Sequence, residues 1–343
     1  MKALCFTEHG DLDVLRYADV PDPQAGPGQV LLRVRACALN HLDIWVRRGW
    51  PGLKLEMPHW SGADVAGEIA ALGEGVAGWE IGQRVVVDPG LSTAEDAFTR
   101  RGEDSLSPGY FILGEPIRGG LAEFLAVPAA NLMAMPEGWD FPTAAAPLLA
   151  SLTAWRMLIH RARLRAGESV LVVGAGGGVN SMAIQIAKLA GATVYALTSS
   201  EEKMEKARAL GADVVLDYLA EPEWSRALYR LTDRQGVDVV VDNVGRATLA
   251  QSLRTVARGG RIVVVGNTSG PQVEMDMRFI FGKQIGIIGS TMGSHQDFRD
   301  VMALVWAGKL APVIDRVMPL AEGKEAFARL ERGEQFGKIV LVP

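Results

Sequence analysis

The stretch Ser169-Val-Leu-Val-Val-Gly-Ala-Gly-Gly-Gly-Val-Asn180 decides how the chain is read. Ser169–Val173 is a short apolar run rich in β-branched residues, the composition of a strand buried on both faces of a parallel sheet. Glycines follow at 174, 176, 177 and 178, and Met182-Ala-Ile-Gln-Ile-Ala-Lys-Leu-Ala190 then repeats apolar residues at helical spacing, with Gly191 as a stop. A strand, a glycine turn and a helix N-terminus in series bring backbone N–H groups and the positive end of a helix dipole against a pyrophosphate. Ordinary turns also carry glycine runs; the strand before and the helix after mark this one as a dinucleotide site.

Downstream of the loop, strand and helix patterns alternate. Ser169–Val173, Thr193–Leu197, Asp213–Leu216, Val237–Val241, Arg261–Val265 and Ile285–Ile288 make six candidate strands, so the expectation is an α/β fold with a doubly wound parallel sheet. A helical pattern over Ala144–Arg163 precedes them. Upstream the period is different: Gln29–Cys37 alternates apolar and polar residues in its second half, Val65–Gly78 carries four glycines among small apolar residues, and Gln83–Asp88 is another strand. These features predict a compact barrel-like β domain with tight turns. Between Asp88 and Glu115 the sequence is polar and aperiodic, a long loop or lobe. After Gly293 come a helix (Phe298–Ala307) and a last strand (Lys338–Val342). With the six-stranded sheet already complete, this tail is expected to rejoin the first domain. The predicted boundaries are residues 1–149 with 291–343 for one domain and 150–290 for the other.

At 343 residues with 48% hydrophobic side chains, two sizeable cores can be buried. A net charge of −5 leaves no basic excess to neutralise phosphates, which argues against a nucleic-acid partner. Cys5 and Cys37 are too few for a disulfide framework and point to a reducing compartment. Met1-Lys-Ala-Leu-Cys-Phe6 lacks a signal peptide's apolar segment, and Ala144–Ile159, the most apolar window, is interrupted by Pro147 and Arg156. The expectation is a soluble cytoplasmic protein with no membrane partner.

NAD-type sites carry an acidic residue about twenty positions past the glycines, where it accepts a ribose hydroxyl. Here that position is Thr198, in Leu197-Thr-Ser-Ser-Glu-Glu-Lys203, and no carboxylate stands there. Thr198, Ser199, Ser200 and Lys203 suit a 2′-phosphate better, so NADP(H) is favoured over NAD(H). Glu201 and Glu202 would oppose a phosphate if turned inward. Ser199 also matches a capping box with Glu202 for the next helix.

Nearly end to end, the chain resembles the medium-chain dehydrogenase/reductase superfamily. The matching stretches are Ala38-Leu-Asn-His-Leu-Asp43, Ser61-Gly-Ala-Asp-Val-Ala-Gly67, Gly82–Val87, Gly174–Asn180, Asp242-Asn-Val-Gly245, Arg258–Ile262 and Phe336-Gly-Lys-Ile-Val340. The resemblance implies a split GroES-like β-barrel catalytic domain flanking a Rossmann domain. Zinc-type alcohol dehydrogenases of this superfamily place a cysteine where this chain has Asn40, a His-Glu pair where it has Ala63-Asp64, and a third ligand near Leu149. A second, structural zinc in such relatives uses four cysteines, at positions matching Thr93, Asp96, Thr99 and Ser107. Both thiolate sets are missing, which places the chain beside the zinc-free quinone oxidoreductase branch and implies no zinc. A substitute site from His41, Asp43, His59 and Asp64 has no tight ligand spacing to support it.

The resemblance also implies that Asn40 and Asp43 lie beside the nicotinamide. Asn40 could donate to a substrate oxygen or serve as a turn residue bonding its own backbone. Asp43 reads as a structural acceptor before a proton donor. His41 could relay a proton or touch the cofactor phosphates. Trp45, Trp50 and Trp60 could form an aromatic wall. Further cofactor contacts implied are Gly176, Gly177, Gly178 and Val179 in the loop, Asn243 and Gly245 near the adenosine ribose and pyrophosphate, and Val265, Gly266, Asn267, Gly289, Ser290 and Thr291 near the nicotinamide. Asn180 stands where relatives have a third glycine; either the helix start is displaced or its side chain reaches the pyrophosphate or a neighbouring backbone group.

Alcohol oxidation requires deprotonating a very weak acid, which zinc eases. Conjugation in quinones and enones spreads the charge arriving with a hydride, so the missing ligands favour reduction of an activated carbonyl compound. Two alternatives stand beside this: an alcohol dehydrogenase with an altered or absent zinc site, and a catalytically silent NADPH-binding sensor. The resemblance implies a homodimer or homotetramer, with the sheet edge near Ile285–Ile288 as its contact.

Overall fold

The structure is a computed structural model describing residues 1–93 and 95–343. The chain forms two units, Met1–Leu149 with Gly293–Met302 and Pro312–Pro343, and Ala150–Met292 with Ala303–Ala311. The sequence had placed all of 291–343 in the first unit. Thr291, Met292 and Ala303–Ala311 instead group with the second, where the Gln185 amide closes two bonds on Ala311: Nε2 donates to its carbonyl at 3.0 Å and Oε1 accepts from its N–H at 2.8 Å.

In the second unit, six parallel strands stand in the order Val214–Asp217, Thr193–Thr198, Ser169–Val173, Val237–Asp242, Val256–Val264, Gly286–Gly289. The order reverses at Ser169–Val173, the first strand in sequence, which places its C-terminal end at a topological switch point. Val170, Leu171 and Val172 are fully buried, as an apolar run covered on both faces requires. The helical stretch predicted for Ala144–Arg163 is broken into Phe141–Ala145 and Leu148–Trp155, followed by a π-helical turn over Arg156–Arg161. Pro147, which has no N–H to donate, sits at the first break. The predicted Ser199–Glu202 box does not form, because the helix starts one residue later. Ser200 is its N-cap, accepting from the Lys203 N–H at 3.3 Å.

In the first unit the main sheet runs Ile314–Pro319, Lys338–Val342, Gln29–Ala38, Asp64–Leu72, Arg84–Val87, Leu132–Ala134, and Phe124–Pro128 pairs with Gln29–Ala38 as well. Gln29–Ala38 is thus the hub of the barrel-like core, and its inward residues Val30, Leu32, Val34 and Ala36 are all buried. The pairing of Lys338–Val342 against Cys37 and Ala38 brings the chain's last strand to the mouth of the His41–Arg48 helix. Cys5 and Cys37 are both free and buried.

Among its described residues, the lobe between Asp88 and Glu115 holds two short strands, Gly90–Ser92 and Tyr110–Ile112, and two 3₁₀ turns. Three of the four positions that the resemblance matches to cysteines are joined here by hydrogen bonds. Asp96 Oδ1 accepts from the Phe98 and Thr99 N–H groups at 2.7 and 3.0 Å, Oδ2 accepts from Ser107 Oγ at 2.8 Å, and the Asp96 N–H donates to Thr99 Oγ1 at 2.8 Å. The fourth, Thr93, ties its N–H to Gly109 at 3.2 Å. The Asp96 carboxylate is therefore the hub of this part of the lobe. Among the described residues no helix is long and apolar enough to cross a membrane.

Candidate functional site

The glycine loop of the second unit is built to receive an anion. Gly174 turns the chain at φ +83°, in the region L side chains avoid, and the N–H groups of Gly174 and Ala175 bond back to Leu197 at 3.1 and 2.8 Å. The helix then begins directly at Gly178, and its first backbone bond runs from the Ser181 N–H to Gly177 at 2.8 Å. The N–H groups of Gly178, Val179 and Asn180 therefore precede the first helical donor, Ser181, and stand at the positive dipole end. Gly176, Gly177, Gly178 and Val179 are partly exposed beside them.

Asn180 takes the second of its two expected roles. Its Nδ2 donates to the carbonyls of Val173 and Gly174 at 2.7 and 2.8 Å, and its Oδ1 accepts from Asn243 Nδ2 at 2.8 Å. Asn243 Oδ1 in turn accepts the Val265 N–H at 3.1 Å. Two asparagines thus stitch the C-terminal ends of three adjacent strands. Asp242 fixes the next turn, accepting from the Val244 and Gly245 N–H groups and from Thr248 and Ser252.

Thr198 is only 2% exposed, and its carbonyl accepts the Tyr218 N–H at 3.0 Å. Ser199, Ser200 and Lys203 remain partly exposed at the strand end. Glu201 and Glu202 pair along their own helix with Arg208 and Lys206 at 3.1 and 2.6 Å. At the C-terminal end of the edge strand Gly286–Gly289, the Ser290 N–H bonds Val264 at 2.9 Å, while its Oγ is buried without a partner among the described residues. Gly266, Asn267 and Thr291 follow the same strand ends, and Gly289 gives its carbonyl to Arg161 at 2.9 Å. The orphan Ser290 hydroxyl and the first-turn N–H groups fit a dinucleotide. When bound, the nicotinamide supplies hydride chemistry.

In the first unit, Asn40 caps the His41–Arg48 helix, and Asp43 supports it from inside. The Asp43 carboxylate accepts the Asn40 N–H at 2.6 Å and the Gly62 N–H at 2.9 Å, and burial, partly offset by the Asn40 N–H, holds its pKa up at about 6. It is therefore ionised at pH 7 and spent on two backbone N–H groups and the Ser61 hydroxyl, a structural acceptor. His41 is pushed down to about 4 by burial and then by the Lys338 ammonium, so it is neutral at pH 7 and cannot be an imidazolium donor there. Arg47, fully buried, anchors the same helix: it bonds the Gly10 carbonyl at 3.1 Å and forms an ion pair with Glu331. The three tryptophans do not share one surface environment. Trp60 lies in a core with Ala3, Cys5 and Ala122, beneath the Arg118 guanidinium at 4.8 Å, whereas Trp50 is exposed.

The group that the sequence reading missed is Lys338. Its Nζ lies 2.8 Å from Asp64 Oδ2 and donates to Asn40 Oδ1. Asn40 Nδ2 donates to the same Asp64 oxygen at 3.0 Å, and Asp64 Oδ1 accepts the Leu149 N–H at 2.7 Å. Asp64 is fully buried and Lys338 only 5% exposed. The only signal in the sequence was a lysine inside the matching stretch Phe336–Val340, with nothing to say which carboxylate it meets.

The resemblance matches zinc-ligand positions to Asn40, Ala63-Asp64 and the neighbourhood of Leu149, and the donor set present there does not fit zinc. The Asn40 oxygen is taken by an ammonium, both Asp64 oxygens are taken by donors, and Leu149 offers only its backbone N–H. His59 is fully buried and bonded to the Gly114 carbonyl at 3.2 Å, and no group of three or more His, Cys, Asp or Glu side chains among the described residues is arranged to hold a metal ion.

Comparison with known proteins gives concordant results. Residues 26–137 match the alcohol dehydrogenase GroES-like domain and residues 178–307 the zinc-binding dehydrogenase family. The chain is 33% identical over 352 residues to an NAD-dependent alcohol dehydrogenase of Saccharolobus solfataricus, covering 100% of both chains. It is 30% identical over 350 residues to a quinone oxidoreductase of Homo sapiens, covering 100% of this chain and 98% of the relative. A crystal structure described as an NAD-dependent alcohol dehydrogenase superposes with a TM-score of 0.96 at 42% identity, covering 100% of both chains.

Proposed function

Because the chain belongs to the medium-chain dehydrogenase/reductase superfamily of NAD(P)-dependent oxidoreductases, we propose that it reduces quinones or α,β-unsaturated carbonyl compounds with NADPH, without zinc. The observation that carries this reading is the Asn40–Asp64–Lys338 corner. An ammonium held by a carboxylate supplies positive charge and hydrogen-bond donors but no open coordination position to acidify an alcohol. An acceptor whose conjugation spreads incoming charge needs no such acidification. Hydride addition to it leaves an oxyanion-like oxygen, and donors fixed in advance stabilise that charge.

The dinucleotide is held in this reading by the N–H groups of Gly178, Val179 and Asn180, with Ser290 at the nicotinamide end. Ser199, Ser200 and Lys203 receive the 2′-phosphate. The outward pairing of Glu201 and Glu202 with Arg208 and Lys206 supports the NADPH preference, because both carboxylates are engaged along the helix. The likeness to proteins named NAD-dependent alcohol dehydrogenase favours a second reading, alcohol and aldehyde interconversion with NAD.

Purified protein is assayed for bound metal and then given NADPH or NADH with a panel of quinones, enones, aldehydes and alcohols. Metal-free turnover of quinones or enones with NADPH is expected. Stoichiometric zinc with alcohol turnover overturns the proposal, and tight NADPH binding without any turnover makes the chain a nucleotide sensor. We also place a homo-oligomer contact at the Gly286–Gly289 edge strand, where Ile287 is exposed close in sequence to exposed Phe281 and Met277. Ile287→Lys is expected to shift the sedimentation coefficient towards a smaller species.

A further inference from the structure

We propose that Lys338 is a positioning residue that turns the Asn40 side-chain amide into the polarised donor for the substrate oxygen. The orientation of that amide follows from its neighbours. An ammonium can only donate and a carboxylate only accept, so Oδ1 must face Lys338 and Nδ2 must face Asp64. Nδ2 carries two hydrogens. One is held by Asp64 Oδ2, and the other has no partner among the described residues, on a residue that is only half-buried. A cation on the amide oxygen draws electron density from nitrogen and strengthens the remaining N–H as a donor, an effect enlarged by the buried setting of Lys338 and Asp64.

The carboxylate does not cancel this. Asp64 accepts from Leu149, Asn40 and Lys338 together, so its charge is spread over three donors. Asp43 holds the other end of the same residue through the Asn40 backbone N–H. Asn40 is thereby fixed at its main chain and at both ends of its amide, and the free N–H is the one degree of recognition left. Lys338 acts through that N–H without itself meeting the substrate.

The inference rests on the reductase reading, and its test has one readout that needs no turnover. In the presence of NADP⁺, 4-nitrophenol is titrated by absorbance into wild type, Lys338→Met, Lys338→Arg and Asn40→Ala. Wild type is expected to bind the phenolate form preferentially, with that preference about tenfold weaker in Lys338→Met and Asn40→Ala and largely restored in Lys338→Arg. In turnover, kcat for weakly activated enones is expected to fall about tenfold or more in both weakened variants, while kcat for strongly electron-accepting quinones changes less than threefold. The Asn40→Ala arm leaves the Asp64–Lys338 pair in place, so it decides the matter if Lys338→Met does not fold. Equal phenolate preference in wild type and Asn40→Ala, or a uniform loss across all acceptors, overturns the inference. Loss of phenolate preference in the variants of a wild type that reduces nothing upholds the donor assignment and overturns the reductase reading alone.

Discussion

Replacing Asn180 by glycine supplies the residue that the resemblance implies at this point of the loop, yet here it is expected to destabilise the second unit substantially. Asn180 makes three hydrogen bonds, two to strand-end carbonyls and one from Asn243. At about 1 kcal/mol net for each such bond, their loss is worth about 3 kcal/mol. A glycine in the first helical turn adds up to about 1 kcal/mol in backbone entropy. No steric relief offsets this, since the nearest atom to a Cβ built on Gly174 is Asn180 Nδ2 at 3.6 Å, an ordinary contact. For a unit of this size each kcal/mol moves the melting midpoint by roughly 2–4 °C, so the midpoint should fall by about 6–15 °C. Circular dichroism melts of wild type, Asn180→Gly, Asn243→Ala and the double variant measure it. The double variant should lose less than the singles combined, by about 1 kcal/mol, because the two side chains share a bond. NADPH affinity should change far less, as the backbone N–H of residue 180 survives. A midpoint within 2 °C of wild type, or strict additivity, would refute the stitched-strand account.

The lobe and the two titrating corners of the first unit give further tests. Converting Thr93, Asp96, Thr99 and Ser107 together to cysteine should create a tetrathiolate site, read as Co²⁺-thiolate charge-transfer absorption that the parent chain lacks. Hydrogen bonds from Thr99 and Ser107 hold Asp96 below the usual carboxylate range. Its contribution is thus present at neutral pH and lost as pH falls through that lowered value, and protease cutting within the lobe should rise only in strong acid. Asp43 titrates with the opposite sign. Its folded pKa of about 6 lies above the ordinary 3.8, so the folded state binds the extra proton between these values and stability falls by about 3 kcal/mol as pH rises across them. Asp43→Asn should flatten that slope in urea midpoints taken from pH 4 to 7, and an unchanged slope would contradict the assignment. His295 is raised by its 2.7 Å bond to Asp88, so their ion pair stabilises below pH 6.5 and is lost as pH rises through the elevated value. Burial also raises Asp88, which weakens the pair at its acidic end, so His295→Gln should cost most near pH 6 and little at pH 9.

What the sequence made legible was local. The Ser169–Val173 strand, its glycine turn and the following helix announce themselves within a few residues, because buried parallel strands need unbroken apolar runs and a phosphate cradle needs glycine. The six-stranded sheet follows from repetition of that pattern. Where single residues decide between two close alternatives, the reading slipped: Ser199 and Ser200 are both competent N-caps, and the choice of Ser200 sets Lys203 rather than Glu202 at the third helical position. The break at Pro147 was visible as a proline in an apolar window, but the π-helical turn after it depends on packing and left no mark in the pattern.

Lys338 was illegible for a different reason. It meets Asp64 across 274 residues of chain, and no periodicity or spacing connects the two. The contact exists because the last strand pairs with Ala38, two residues before Asn40, and because Ala38 also pairs with Asp64 on the neighbouring strand. That register makes the first residue of the last strand a neighbour of both. The topology sets a fixed cation, its carboxylate and an amide oriented between them in one corner. Moving the lysine by one position, as in a Lys338→Ile, Ile339→Lys exchange, reverses the face on which it stands. The exchange keeps composition and charge unchanged, yet it should abolish enone reduction and leave Asp64 without its ammonium. Retention of more than a tenth of wild-type kcat on enones by a folded exchange variant would show that the placement of this charge does not matter.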